Sequence, residues 1–233
     1  MKPIAEQSKT IRIILLSTQC LLVIGMIAGV LFISARDTNW MQAWLFLAIY
    51  AICNWICSYL LFLNVPELLD ERKKKHANIK SWDKNLVVGY QIMYFPIFIV
   101  SGLDHQYYLT EMPIEWSTIF LLLVIFSFVL FTWAPLVNKH HETYIRIQHE
   151  RNHQVCDKGP YRIIRHPSYL GLIFLFIGMP LSLGSLWGLI PGMAAVITIM
   201  IRTAFEDKFL KAELPGYTEY SNKTKYRLFP LIW

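Results

Sequence analysis

The sequence predicts an all-α protein, a polytopic membrane helical bundle of about five or six transmembrane helices. The chain has 233 residues, of which 55% are hydrophobic and 16% are charged, and its mean hydropathy is +0.39. A soluble domain contains about 25% charged residues, so this composition is typical of a chain surrounded by lipid. Several apolar runs also approach the roughly 20 residues that a helix needs to cross a bilayer. We therefore expect a single integral-membrane domain, 1–233, with a short cytoplasmic C-terminal cap.

Four long apolar runs predict complete crossings: 11–33, 40–63, 86–103 and 114–137. Two shorter runs follow, 169–183 and 186–201, which are joined by Gly184-Ser185 and are each interrupted by a proline. This pattern predicts a tight helical hairpin, which either crosses the membrane fully or enters it and returns. In both cases the two ends of the hairpin lie on the same side of the membrane.

Lysine and arginine are concentrated in every second segment between the spans. They precede the first span, follow the second and follow the fourth, whereas 106–113 contains none. Because cytoplasmic loops carry the excess of basic residues, we expect both termini in the cytoplasm. These loops account for the net charge of +6 without a nucleic-acid partner. The basic residues are Lys2, Lys9 and Arg12, then Arg72, Lys73, Lys74, Lys75, Lys80 and Lys84, then Lys139, Arg146, Arg151, Lys158, Arg162 and Arg165.

This organisation divides the chain into two parts. The first, 1–85, is an N-terminal helix pair with a basic loop. The second, 86–233, is a core that carries a motif at 155–171 and a C-terminal block at 202–230. Both features are rich in charged and aromatic residues.

The segment 159–171 is the most informative part of the sequence. It places two arginines, a histidine and two tyrosines on a turn-rich stretch directly before the first short apolar run. Charge at the lip of a membrane helix is costly to desolvate, so such a cluster indicates a functional site. A basic anchor for lipid headgroups is the alternative. An anchor, however, needs only lysines and arginines, and has no need of the Gly-Pro and His-Pro steps found here.

A second cluster follows the hairpin. Arg202 and Glu206 lie four residues apart near the end of the last predicted span, with Asp207 beside them. Helical spacing places Arg202 and Glu206 on one face, where an ordinary surface pair is the alternative. The hairpin returns this face to the membrane surface that carries Arg165 and His166. We therefore expect a cationic cluster and an acidic pair to converge in one cytoplasmic pocket, covered by the C-terminal tail.

Such a pocket offers groups for several parts of one charged ligand. It has donors for a carboxylate, acceptors for an amine or ribose hydroxyls, and flat aromatics for a purine or a sulfonium. The donors are Arg162, Arg165 and His166, and the acceptors are Glu206 and Asp207. The aromatic residues are Tyr161, Tyr169 and Tyr217. S-adenosylmethionine has all of the matching groups, and NADPH also suits basic and aromatic residues. A Rossmann site is not expected, because no glycine-rich phosphate loop follows a strand.

The segment 149–153 matches the H-E-x-x-H pattern of zinc proteases. That pattern requires a regular helix on which His149 and His153 share a face. Arg151 and Asn152 between them favour a solvated, frayed segment instead, and no third ligand follows in a suitable helix. We therefore expect no metal site, and the four cysteines predict no disulfide framework.

The motif Gly159-Pro160-Tyr161-Arg162, followed by Arg165-His166-Pro167 and Tyr169-x-Gly171, resembles the signature of the isoprenylcysteine carboxyl methyltransferase family. The wider relatives of this family include integral-membrane phospholipid methyltransferases. The block Arg202-x-x-x-Glu206-Asp207, followed by Gly216-Tyr217-x-x-Tyr220, is similar to the family's second block. Many members have Glu-Glu where this chain has Glu206-Asp207, which makes Glu206 the principal acid. The stretch 66–84 resembles bacterial members, which implies a bacterial inner membrane.

The resemblance implies a methyltransferase that uses S-adenosylmethionine at the cytoplasmic face. The lipophilic acceptor, an isoprenylcysteine-like carboxylate, a lipid amine or a small thiol, would enter from the bilayer. Glu206 and Arg202 would be catalytic. The implied cofactor-binding residues are Val155, Gly159, Tyr161, Arg162, Arg165, His166, Pro167, Tyr169, Gly171, Asp207 and Tyr217. Two alternatives stay open, an NADPH-dependent lipid or sterol-type reductase with a similar Arg-His-Pro block and a non-enzymatic membrane protein that binds a lipid or another ligand.

Overall fold

The computed structural model of the protein describes residues 9–72, 74 and 79–233. Three of the basic residues used above for orientation, Lys2, Lys73 and Lys75, lie outside these ranges. Within the described ranges the chain forms nine α-helices and no strand. They are α1 Lys9–Ala35, α2 Met41–Asn64, α3 Pro66–Glu71, α4 Ser81–Ile92, α5 Tyr94–Gln106, α6 Ile114–Val137, α7 Pro167–Ser182, α8 Leu189–Glu213 and α9 Tyr217–Lys223.

Five helical stretches of the described chain are long and apolar enough to cross a membrane. They are Ile13–Ala35, Met41–Asn64, Ser81–Gln106, Ile114–Val137 and Leu189–Glu213, and the shorter α7 is the remaining apolar helix. This arrangement confirms the predicted all-α polytopic bundle.

The third crossing consists of two helices, α4 and α5, rather than one. Pro96 lies one turn after the break. It has no N–H for the helical ladder, and its ring meets the carbonyl four residues earlier, at Ile92, where α4 ends. The crossing begins at Ser81, earlier than the predicted 86, because Asp83 is buried in the bundle instead of lying in a polar loop.

Helices α6 and α7 pack closely through glycines. A Cβ atom on Gly171 would lie 3.1 Å from the carbonyl oxygen of Ser127, and one on Gly178 would lie 3.0 Å from the Cβ of Leu123. Small residues allow membrane helices to approach in this way. The close packing fixes the start of α7, which carries the predicted motif, against the end of α6.

The predicted hairpin is formed by α7 and α8, whose turn is held by Asp104 of α5. The Asp104 carboxylate accepts hydrogen bonds from Ser185 Oγ at 2.5 Å and from Thr110 Oγ1 at 2.9 Å. Gly184 has a φ of +77°, which a residue with a side chain rarely adopts. The hairpin therefore returns Arg202 and Glu206 to the end of the bundle that carries the motif.

The C-terminal tail folds back onto the motif, as predicted. Arg165 N–H donates to the carbonyl of Tyr226 at 2.9 Å, and His166 N–H donates to that of Arg227 at 3.0 Å. With α9 beside them, these contacts form a cap over the start of α7.

Candidate active site

The two predicted clusters meet in one cavity at this end of the bundle. The cavity is bounded by the start of α7, the last turns of α8, the segment 138–158 and α9, and its empty volume is about 800 Å³ including the solvent at its mouth. The predicted site residues on its wall are Val155, Tyr161, Arg165, His166, Pro167, Tyr169, Arg202, Glu206 and Tyr217.

Four predicted site residues do not line this cavity. Gly159 forms a turn with a φ of +55° against Trp133, and Arg162 is exposed on the surface. Gly171 faces α6, and Asp207 lies buried behind the wall. None of these four residues can therefore contact a ligand in the cavity from its place in the structure.

Arg165 is held by the protein itself. Its Nε donates to Asp207 Oδ1 at 2.7 Å and its Nη2 donates to Oδ2 at 3.1 Å, while Nη1 donates to the carbonyls of Thr224 and Lys225, both at 2.8 Å. Four of the five guanidinium N–H groups are thereby used. Arg165 thus joins the motif, α8 and the tail, which leaves it little capacity to bind a ligand carboxylate.

Asp207 is the shared acceptor of this junction. Besides Arg165, it accepts hydrogen bonds from Tyr217 OH at 3.1 Å and from Arg227 Nε at 3.1 Å, and it is 1% exposed. Burial, together with the nearby Asp207 carboxylate, raises the pKa of Tyr217, so this phenol stays protonated and able to donate. The carboxylate therefore fixes the cap to α8.

Glu206 is the more exposed of the two neighbouring acids on α8. It accepts a hydrogen bond from Tyr169 OH through Oε2, and its Oε1 lies 3.8 Å from His166 Nδ1. The His166 ring stacks on Tyr169 with a centroid distance of 5.5 Å, and its Nε2 lies 3.6 Å from Asp207 Oδ1. The Glu206 side chain is 18% exposed, compared with 1% for Asp207. Glu206 can therefore contact a ligand in the cavity.

Arg202 does not form the predicted pair with Glu206. Its Nε donates to Asp83 Oδ1 at 2.7 Å, and its Nη2 donates to Asp83 Oδ2 at 3.2 Å and to the Thr143 carbonyl at 2.7 Å. The guanidinium carbon lies 4.9 Å from the centre of the Tyr169 ring. Arg202 therefore supports the tyrosine that binds Glu206, and its carboxylate partner comes from α4.

One histidine on the cavity wall, His141, was not predicted. His141 Nε2 bonds Ser168 Oγ at 2.7 Å, and its Nδ1 bonds Arg72 Nη2. Burial and the nearby Arg72 guanidinium lower the pKa of His141 to about 3. Because Arg72 can only donate, the neutral ring accepts at Nδ1 and donates from Nε2. No sequence signal marked His141, which follows α6 in a short polar stretch.

The segment 149–153 is irregular, as predicted. His149–Arg151 forms a single 3₁₀ turn, and Asn152 then adopts a left-handed conformation. His153 stacks on His140, with a centroid distance of 4.5 Å. In the part of the chain that the structure describes, no three metal-capable side chains form a group. The segment instead forms part of the cavity wall.

The low pKa of His141 predicts a pH-dependent stability. The unfolded chain binds a proton at this residue below its ordinary pKa of 6.5, whereas the folded protein does not until about pH 3. Stability therefore falls as the pH is lowered through this window. The variant His141→Gln can still bond Arg72 and Ser168 but cannot titrate. Thermal unfolding in detergent should thus depend less steeply on pH between 6.5 and 4 in this variant than in the parent.

The exposed residue His149 offers the matched control. The variant His149→Gln should keep the parental slope. Some slope should remain in His141→Gln, because burial also lowers the pKa of His153 to about 4. Identical slopes for the parent and for His141→Gln would contradict the prediction.

Part of the chain matches a known protein family. The model of the phospholipid methyltransferase family matches residues 116–214. The matched segment runs from α6 to the end of α8 and contains Arg165, His166, Arg202 and Glu206. No curated protein matches the chain. Through residues 116–214, less than half of its length, the chain is therefore similar to the phospholipid methyltransferase family.

Proposed function

We propose that the protein transfers a methyl group from S-adenosylmethionine to a lipophilic acceptor at the cytoplasmic face of a bacterial inner membrane, with both termini in the cytoplasm. The family supports a membrane methyltransferase that acts on lipid-type substrates. One observation carries the finer proposal. It is the partly exposed carboxylate of Glu206, held by Tyr169 beside His166, in a cavity bounded by the cap.

The donor set of the cavity fits this cofactor. S-adenosylmethionine contains a positive sulfonium, an amine, a carboxylate, ribose hydroxyls and a purine. Glu206 supplies negative charge for the sulfonium, which S-adenosylhomocysteine lacks, and Tyr169 and Tyr217 supply aromatic faces. His140 on the same wall is 5% exposed, and its Nε2 has no hydrogen-bond partner within the described residues. An unpaired buried nitrogen of this kind suits a ligand hydroxyl or amine.

When it is bound, S-adenosylmethionine supplies the methyl group as an activated sulfonium. The residues of the chain then have three tasks: to exclude water, to align the acceptor and to hold its proton. The cap and the segment 138–158 cover the cavity. Glu206 can hold an ammonium group at Oε1 and take its proton, which leaves the amine nucleophilic.

Of the three acceptor classes, a lipid amine next to an oxyanion suits this wall best. Glu206 attracts an ammonium group and repels a carboxylate. Arg202 lines the cavity, and no described residue accepts a hydrogen bond from its Nη1. Those two N–H groups can bind a phosphate oxygen beside the amine. Phosphatidylethanolamine has this arrangement and is the acceptor that we propose to test.

The test is cofactor binding by purified protein in detergent. Calorimetric titration should show binding of S-adenosylhomocysteine in the micromolar range or tighter, without binding of NADPH. Radiolabelled methyl groups should then enter phosphatidylethanolamine in mixed micelles. Binding of NADPH alone would support the reductase, and binding of neither ligand would support a non-enzymatic lipid-binding protein.

A further inference from the structure

We infer that Asp83 is a positioning residue for methyl transfer, which acts by fixing Arg202 and the cavity wall at 143–145. The inference rests on the proposed function. Asp83 belongs to α4, outside the segment 116–214 that matches the family. A role for this residue would make the N-terminal half of the chain a contributor to the site.

Both carboxylate oxygens of Asp83 accept hydrogen bonds. Oδ1 accepts from Arg202 Nε at 2.7 Å, and Oδ2 accepts from Arg202 Nη2 at 3.2 Å and from Ile145 N–H at 2.7 Å. The side chain is 0% exposed, so water does not compete for these bonds. A two-point contact of this kind fixes the plane of a guanidinium as well as its position.

Hydrogen bonds connect α4, α8 and the cavity wall to one another. Arg202 Nη2 also donates to the Thr143 carbonyl at 2.7 Å, two residues before Ile145. Tyr144 and Ile145 line the cavity. The single carboxylate of Asp83 therefore sets both the direction of the Arg202 guanidinium and the position of this wall.

The effect extends from Arg202 to Glu206. The fixed guanidinium stacks on Tyr169, whose hydroxyl donates to Glu206. Without the charge of Asp83, Arg202 would have Glu206 within reach, one turn along the same helix. An ion pair between them would withdraw Glu206 from the acceptor. In the native protein, the contact of Asp83 with Arg202 therefore leaves Glu206 available to the acceptor.

The test compares two variants with the parent protein. Asp83→Asn keeps the shape of the side chain and removes its charge. We expect it to lower kcat with phosphatidylethanolamine micelles about 100-fold, the size of effect that misplaced reacting groups produce. The affinity for S-adenosylhomocysteine, measured by calorimetry, should be unchanged. Asp37→Asn is the matched control. Asp37 lies in the loop between α1 and α2, away from the cavity, where its half-exposed carboxylate bonds His105 of α5. This variant makes the same change of side chain and should keep the parental kcat.

A double variant separates positioning from a structural role. The side-chain oxygen of asparagine can still accept from Ile145 N–H, so Asp83→Asn alters the site only through Arg202. Combined with Arg202→Gln, it should therefore have the kcat of Arg202→Gln alone. The double variant also covers the case in which Asp83→Asn does not fold. It contains no unpaired buried charge, so it should fold and keep that same kcat.

The outcomes are distinguishable. A parental kcat in Asp83→Asn, or losses that multiply in the double variant, would overturn the positioning role while the proposed function stands. A loss of S-adenosylhomocysteine affinity equal to the loss of kcat would also overturn it, because the residue would then only stabilise the fold. If the parent neither binds S-adenosylhomocysteine nor transfers methyl groups, the proposed function itself fails.

Discussion

The variant Glu206→Gln should fold, bind S-adenosylhomocysteine with parental affinity and lose about 100-fold in methyl transfer. The amide oxygen of glutamine can still accept the hydrogen bond of Tyr169, so the geometry of the side chain is kept. The charge that holds an ammonium group and takes its proton is removed. The loss should therefore appear in the chemical step and not in cofactor binding.

The measurement is incorporation of radiolabelled methyl groups into phosphatidylethanolamine micelles, with cofactor affinity determined on the same preparation. Glu213→Gln makes the same change on an exposed residue at the end of α8, and it should transfer at the parental rate. If Glu206→Gln also transfers at that rate, Glu206 has no part in catalysis.

Length and hydropathy predict the membrane helices well, because the bilayer imposes both. The predicted span 114–137 has the bounds of α6. The prediction is less good at the start of the third crossing, where Ser81–Ile92 begins with polar residues. Asp83 lies there inside the bundle because it meets Arg202, and no local pattern reveals a partner that is distant in sequence.

The candidate site shows the same limit. Hairpin geometry correctly places Arg202 and Glu206 at the end of the bundle that carries Arg165 and His166. Helical spacing also offers Glu206 to Arg202, but a spacing of four residues only makes a pair possible. The two-point contact with Asp83, fully buried, replaces that pair. His141 was missed for a related reason, since its partners Arg72 and Ser168 are far apart in the sequence.

The structure changes the expected consequence of altering the neighbouring acid. From the sequence, Asp207 is a second acid of the pocket, subordinate to Glu206. In the structure it is the buried partner of Arg165 and also accepts from Tyr217 and Arg227. Replacement of Asp207 should therefore lower the stability of the fold, and methyl transfer should be affected mainly through that loss.

The variant Asp207→Asn should lose about 3–5 kcal/mol of unfolding free energy, the usual effect of leaving a buried charge without its partner. Arg165, at 6% exposure, would keep its positive charge beside a neutral amide. Unfolding titrations with sodium dodecyl sulfate, starting from mild detergent, would measure the loss.

Asp157→Asn, at an exposed aspartate, is the control and should unfold like the parent. The double variant Asp207→Asn with Arg165→Met removes both charges and should recover part of the stability, because a buried pair can be replaced by apolar groups more easily than it can be broken. Parental stability in Asp207→Asn would show that the junction between α8, the motif and the cap does not depend on this ion pair.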